Sequence, residues 1–183
     1  MIQLKNSIQI AMEFDNMLPA FDRPQYTEMY EGFFHLNNME GNVEKTTMNY
    51  NVRDHDMAIF ENRKALAVKA GEFLNAKYGE GTVEVILNDS YYNMAEKIRP
   101  HMFLLDIAAE AFKELGIDTP AISPVRGGTD GARLSYRGLP CPNLCTGGHN
   151  YHGKYEFICI QSMEKTVELL IKIAQKFKDV KKN

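Results

Sequence analysis

The chain has 183 residues, 44% of them hydrophobic, and a formal net charge of −3 with lysine and arginine spread along its length. That length and apolar content suffice for one or two compact units with buried cores, and the charge lacks the basic footprint that a phosphate-backbone binder needs, which excludes nucleic acid as a partner. No stretch approaches the roughly twenty apolar residues of a bilayer span and Met1–Lys5 lacks the apolar core of a signal peptide, so no membrane partner and a cytoplasmic location are expected. The three cysteines are an odd number, and Cys141 and Cys145 match no zinc-knuckle spacing; all are read as reduced thiols packed in or near strands. The basic run from Lys176 to Lys182 reads as the solvated end of a last helix.

In chain order, Ile8, Ile10, Met12, Met17 and Leu18 recur among polar residues as in an amphipathic helix that Pro19 ends. A connection over residues 20–30 leads to an extended segment at Gly32 to Leu36 and a turn at Asn37, Asn38 and Gly41. From Val43 to Arg53 the side chains alternate, with Thr46, Met48, Tyr50 and Val52 on a buried face and Thr47, Asn49, Asn51 and Arg53 on a polar one. Asp54 and Asp56 precede a long helix marked by Ile59, Leu66, Ala70, Phe73 and Leu74 and stopped by Gly79 and Gly81. Val83, Val85 and Leu87 then alternate with Thr82, Glu84 and Ile86 in a further strand. The order helix, strand, strand, helix, strand is that of a ferredoxin-like sandwich lacking its first strand.

After residues 88–93 the pattern changes. Phe103, Leu104, Ile107, Ala108, Phe112 and Leu115 predict a helix closed by Gly116, and Ala121 to Val125 a strand feeding a glycine turn that opens a short helix. Pro140 to Thr146 reads as another short extended run, and Met163, Val167, Leu170, Ile171, Ala174 and Phe177 as the apolar stripe of the last helix. The expected class is α/β, with too few strands for a closed doubly wound domain.

Two constellations carry chemistry. Arg126-Gly127-Gly128-Thr129-Asp130-Gly131 places backbone amides at a helix start beside a guanidinium, a possible cradle for a carboxylate or phosphate; the plainer reading is a strand-to-helix turn. There is no P-loop lysine and no G-x-G-x-x-G spacing, which leaves nucleotide binding unsupported. Arg53 ends the polar strand face among Asp54 and Asp56, where a surface ion pair is its ordinary role. His149 and His152 are spaced to serve one metal, with Asp130 and Glu156 as further candidates, although zinc needs three or four protein ligands. His35, His55 and His101 have no ligand-like neighbours and read as surface or core residues.

The runs Ser123 to Ala132, Gly138 to Leu144 and Thr146 to Phe157 resemble the tripeptide aminopeptidases of the peptidase T group in the M20 metallopeptidase family. Tyr30 to Leu36, Val52-Arg53-Asp54 and Asp89 to Met94 extend that resemblance over essentially the whole chain. It implies a catalytic α/β domain with two zinc ions, interrupted by a ferredoxin-like lid that also makes a homodimer. Residues 1–97 would be a partial lid and dimerisation domain, and residues 98–183 the C-terminal part of the catalytic domain. His152 matches the family's late metal-binding histidine. Arg53 and Arg126 match arginines that hold the substrate's C-terminal carboxylate, and the Gly127, Gly128 and Thr129 backbone would line the same pocket.

The family's early His-x-Asp ligand motif, its Glu-Glu pair with the general base and its His-Pro-Gly lid motif are absent from this sequence. The resemblance therefore implies a C-terminal portion of a zinc aminopeptidase for tripeptides, with an incomplete metal site and no activity of its own. Two other readings are a self-associating lid module that uses an open sheet edge, and an anion-binding protein that uses the glycine turn.

Overall fold

The computed structural model describes residues 5–118, 121–178 and 180. They fall into two units, one of residues up to Asn93 with Pro124–Gly127, the other of Met94–Ser123 with the residues from Gly128 onward. The first residues, Met1 to Leu4, and the end of the basic run at Lys181 and Lys182 lie outside the described residues.

In the first unit, Asn6 opens helix α1 (Ser7–Met17): its side-chain oxygen accepts from the amides of Ile8 and Gln9 at 3.0 and 3.4 Å, pairing donors that a first turn leaves free. The helix buries Ile10 and Phe14, and Leu18 follows four residues on, just ahead of Pro19. Met12, expected on the apolar face, points outward and is 56% exposed.

Strands β1 (Phe33–Gly41) and β2 (Thr46–Arg53) pair antiparallel, from Phe33 opposite Arg53 to Gly41 opposite Thr46. The turn expected at Asn37 to Gly41 lies four residues later. Asn37 is absorbed by a register shift between Leu36 and Asn38. The chain reverses at Asn42, whose side chain accepts from the amides of Glu44 and Lys45 at 2.8 and 3.1 Å.

Helix α2 (Met57–Tyr78) starts at Asp56, which accepts from the Ile59 amide at 2.9 Å, and stops at Gly79, whose φ of 104° suits glycine. Its Ala67, Ala70 and Leu74 close a core with Ile10, Phe14, Leu18 and Phe34. The strand expected over residues 83–87 is not formed. The segment has no regular structure; Val83 and Val85 pack on that core, but among the described residues no neighbouring strand pairs with it. Asn75 holds it instead, its side-chain amide donating to the Val83 carbonyl at 2.8 Å and accepting from the Val83 amide at 2.7 Å.

The second unit contains α3 (Ala95–Ile98), α4 (Phe103–Glu114), α5 (Asp130–Tyr136), β3 (Gly148–His149), β4 (Phe157–Ile158) and α6 (Ile160–Phe177). Helices α4 and α6 pack through Ala111, Phe112 and Leu169, and Lys176 reaches Glu114 and Glu110 at 2.6 and 3.0 Å. The strands expected at Ala121 to Val125 and Pro140 to Thr146 are irregular; the ladder here is the two-residue pairing of β3 with β4. The stripe expected to bury α6 is also corrected. Leu169 is its buried residue, whereas Met163, Val167, Leu170, Ile171 and Phe177 are exposed, because α6 turns its Leu169 and Ile173 side to α4. The cysteines are free thiols, and Cys145 and Cys159 are exposed rather than packed in strands. Among the described residues no helix is long and apolar enough to cross a membrane. The architecture is mixed α/β.

Candidate functional site

Arg53, the last residue of β2, and Arg126, on the segment that joins the first unit, come together although 73 residues separate them. Arg53 donates from Nη1 to the Tyr91 hydroxyl at 2.8 Å and to the Arg126 carbonyl at 3.1 Å. Arg126 donates from Nη1 to the Thr27 carbonyl and from Nη2 to the Thr27 hydroxyl at 2.5 Å, and its guanidinium lies 4.9 Å from the centre of the Phe33 ring. Every acceptor here is neutral. Neither arginine has a carboxylate partner among the described residues.

The ion pair expected between Arg53 and a neighbouring aspartate is therefore overturned, because the aspartates are engaged elsewhere. Asp54 accepts from Arg63 Nε at 2.8 Å, Asp22 takes the same guanidinium, and Asp56 caps α2. Burial works against the charge of Arg63, and the hydrogen bonds it donates to Asp54 and Asp22 outweigh it, so its pKa is raised.

Both guanidinium groups are half-buried and have only neutral partners among the described residues, and a partly desolvated cation is stabilised by a counter-charge. Arg126 Nε makes the point locally: it is a buried donor with no acceptor among the described residues. Leaving such a donor unpaired costs about 1–3 kcal/mol or more for a charged group. Arg53 commits only Nη1, which leaves Nε and Nη2 for a planar oxyanion. Gly127 is exposed, and a Cβ added there would meet nothing within 4 Å. Thr129 precedes α5 without a side-chain capping bond, and its hydroxyl accepts from Asn143 Nδ2 at 3.3 Å; Gly128 is exposed.

In the second unit, His152 lies on the loop between β3 and β4 with φ 62°, a left-handed conformation shared by Asn150 at 54°. Gly153 and Glu156 stabilise the turn: the His152 amide donates to Glu156 Oε2 and the Gly153 amide to the Asn150 carbonyl, both at 3.0 Å. His152 is exposed, while the His149 ring stacks on Phe157 at 5.0 Å. Among the described residues no three His, Cys, Asp or Glu gather as a metal would require. His152 with Glu156 falls short of that number, so the residues present do not make a zinc site by themselves.

Sequence reasoning missed Tyr91 and Thr27, the neutral partners of the arginines. Tyr91 belongs to a motif that carried the family resemblance, but nothing in its spacing ties it to Arg53. Thr27 lies 99 residues from Arg126, with no local signal at all.

Known proteins supply the class first. A crystal structure of a tripeptidase from Staphylococcus aureus superposes with a TM-score of 0.60 at 18% identity, covering 91% of this chain and 44% of that one, so the two share a fold. The description Peptidase family M20/M25/M40 then matches residues 14–176, and the chain belongs to that family. Among curated relatives, Peptidase T of Caldanaerobacter subterraneus subsp. tengcongensis is 56% identical over 173 residues, and Peptidase T of Bacillus subtilis 49% identical over 172. Each match covers 94% of this chain and 42% of the relative, so the chain spans less than half the length of the curated relatives it matches.

Proposed function

We propose that the chain is the C-terminal part of a dinuclear-zinc tripeptide aminopeptidase, in which Arg53 and Arg126 grip the C-terminal carboxylate of the substrate. The observation that carries this is the arginine pair with neutral partners only and a buried, unpaired Nε. A carboxylate supplies the missing charge in the planar, two-oxygen form that a guanidinium matches. The relatives are named as peptidases and the structural neighbour as a tripeptidase, which is in keeping with a peptide substrate. The backbone of Gly127, Gly128 and Thr129, next in sequence, belongs to the same proposal.

His152 is proposed as one zinc ligand of the complete protein, whose metal would polarise the scissile carbonyl and activate water. Assembly as a homodimer through residues 1–97 and a cytoplasmic location are part of the same reading. Without the remaining ligands and a general base, this chain alone is inactive.

Thermal protection tests the grip. Trialanine should raise the unfolding midpoint, whereas trialaninamide, which lacks the carboxylate, should not, and Arg53→Met should abolish the effect. Protection by inorganic phosphate but not by trialanine would contradict the proposal and favour a general anion site.

A further inference from the structure

Phe33 opposite Arg53 is the last pair of the β1–β2 ladder, so the chain that enters β1 and the chain that leaves β2 lie side by side at one end of the sheet. Gly32 is buried between them: a Cβ added there would lie 2.4 Å from the Arg53 carbonyl oxygen, an approach that only glycine allows. Earlier in the same segment, Thr27 takes the guanidinium of Arg126. Residues 27–32 therefore run from the partner of one site arginine to the backbone of the other.

Within that short path the Glu31 amide donates to the Glu28 carbonyl at 2.9 Å and the Glu28 amide to Glu31 Oε2 at 2.8 Å. The tight turn holds Met29 at φ 47°, a left-handed conformation unfavourable for a residue with a Cβ. Tyr30 follows. Its carbonyl lies 3.2 Å from His55 Nδ1, and the two rings meet edge to face with centroids 5.3 Å apart. The Asn93 side chain donates to the His55 carbonyl at 3.2 Å, and nearby Tyr91 takes Arg53 Nη1. Even so, Tyr30 is 59% exposed and Met29 56%. An exposed phenol ring is thus fixed on the segments that hold the arginine pair before any ligand arrives, which lowers the entropy lost on binding.

We infer that Tyr30, backed by His55 and flanked by Met29, reads the side chain of the residue whose carboxylate the arginines hold, and selects an aromatic one. The inference rests on the carboxylate grip proposed above and adds the side-chain selectivity of the same site. In a peptide the last side chain leaves the carbon that bears the carboxylate, so a ligand anchored on Arg53 and Arg126 carries that side chain to the residues that border the anchor. A phenol ring and a thioether both favour an aromatic partner over a methyl group. Glu28 and Glu31 are exposed and in no salt bridge among the described residues, so an acidic last side chain meets like charge there.

Calorimetric titration of the intact chain with Ala-Ala-Phe, Phe-Ala-Ala and trialanine tests it. Ala-Ala-Phe should bind about tenfold tighter than either of the others, although Phe-Ala-Ala has the same composition. Tyr30→Ala, at an exposed position, should bring the three affinities within about twofold of one another, and Tyr30→Phe, which keeps the ring, should preserve the order. Equal affinity for Ala-Ala-Phe and Phe-Ala-Ala, a preference that survives Tyr30→Ala, or one lost in Tyr30→Phe would each overturn the inference and leave the carboxylate grip standing. Failure of trialanine and Ala-Ala-Phe alike to bind would overturn the grip and the inference together.

Discussion

Asp54 follows Arg53 directly in sequence, yet its carboxylate is held by Arg63 at 2.8 Å with its side chain only 4% exposed. Arg63 thus engages the acid next to Arg53 in sequence, although Arg63 does not itself belong to the candidate site. Removing Arg63 should let Asp54 turn to Arg53 and compete with any ligand carboxylate. For Arg63→Met we expect trialanine affinity to fall by about tenfold or more, equivalent to about 1.4 kcal/mol, with both site arginines intact. Calorimetric titration of the folded variant checks this; unchanged affinity would show that Asp54 cannot reach Arg53.

At the scale of elements, the first unit has the β1–β2 ladder, and side chains tie its helices to each other and to residues 83–85. Glu13 on α1 takes Lys77 Nζ at 2.6 Å and the Tyr78 hydroxyl at 2.7 Å from α2, and these hydrogen bonds, led by Lys77, lower its pKa. A carboxylate whose folded pKa lies below its unfolded value, about 4.3, stabilises the fold above that value. The stabilisation is lost as pH falls through the folded pKa. Glu13→Gln should therefore narrow the difference between urea midpoints at about pH 7 and about pH 3. A second tie is Asn75, which replaces a missing strand by clasping Val83. Asn75→Ala leaves both Val83 groups unpaired and should cost about 1–3 kcal/mol, with faster amide exchange at residues 83–85 as its local sign. The four main helices were legible in the sequence because a helix closes its own hydrogen bonds and needs only a periodic apolar face. The expected strands at 83–87, 121–125 and 140–146 were not, since a strand exists only where a second one pairs with it, and alternation cannot report whether it is there. The stripe of α6 failed for a related reason: periodicity locates an apolar face but does not name what covers it.

For the molecule as a whole, family membership was legible in long unbroken motifs, residues 123–132 and 146–157 above all, and the match over residues 14–176 establishes it. Arg126 stood out beside the glycine turn as part of an anion cradle, and Arg53 gained its carboxylate-gripping role only from the resemblance; what sequence could not supply was their shared surroundings, because Thr27, Tyr91 and Phe33 reach them from distant parts of the chain. Likewise, the spacing of His149 and His152 hinted at a shared metal, while the fold commits His149 to Phe157. The central proposal is that this chain holds the arginine pair that grips a tripeptide's carboxyl end and has no peptidase activity of its own. Proton NMR of trialanine mixed with the pure chain and zinc tests both halves at once. The methyl of the C-terminal alanine should shift and broaden while no free alanine accumulates. Free alanine growing with time, or a methyl signal unmoved at saturating chain, would contradict the account.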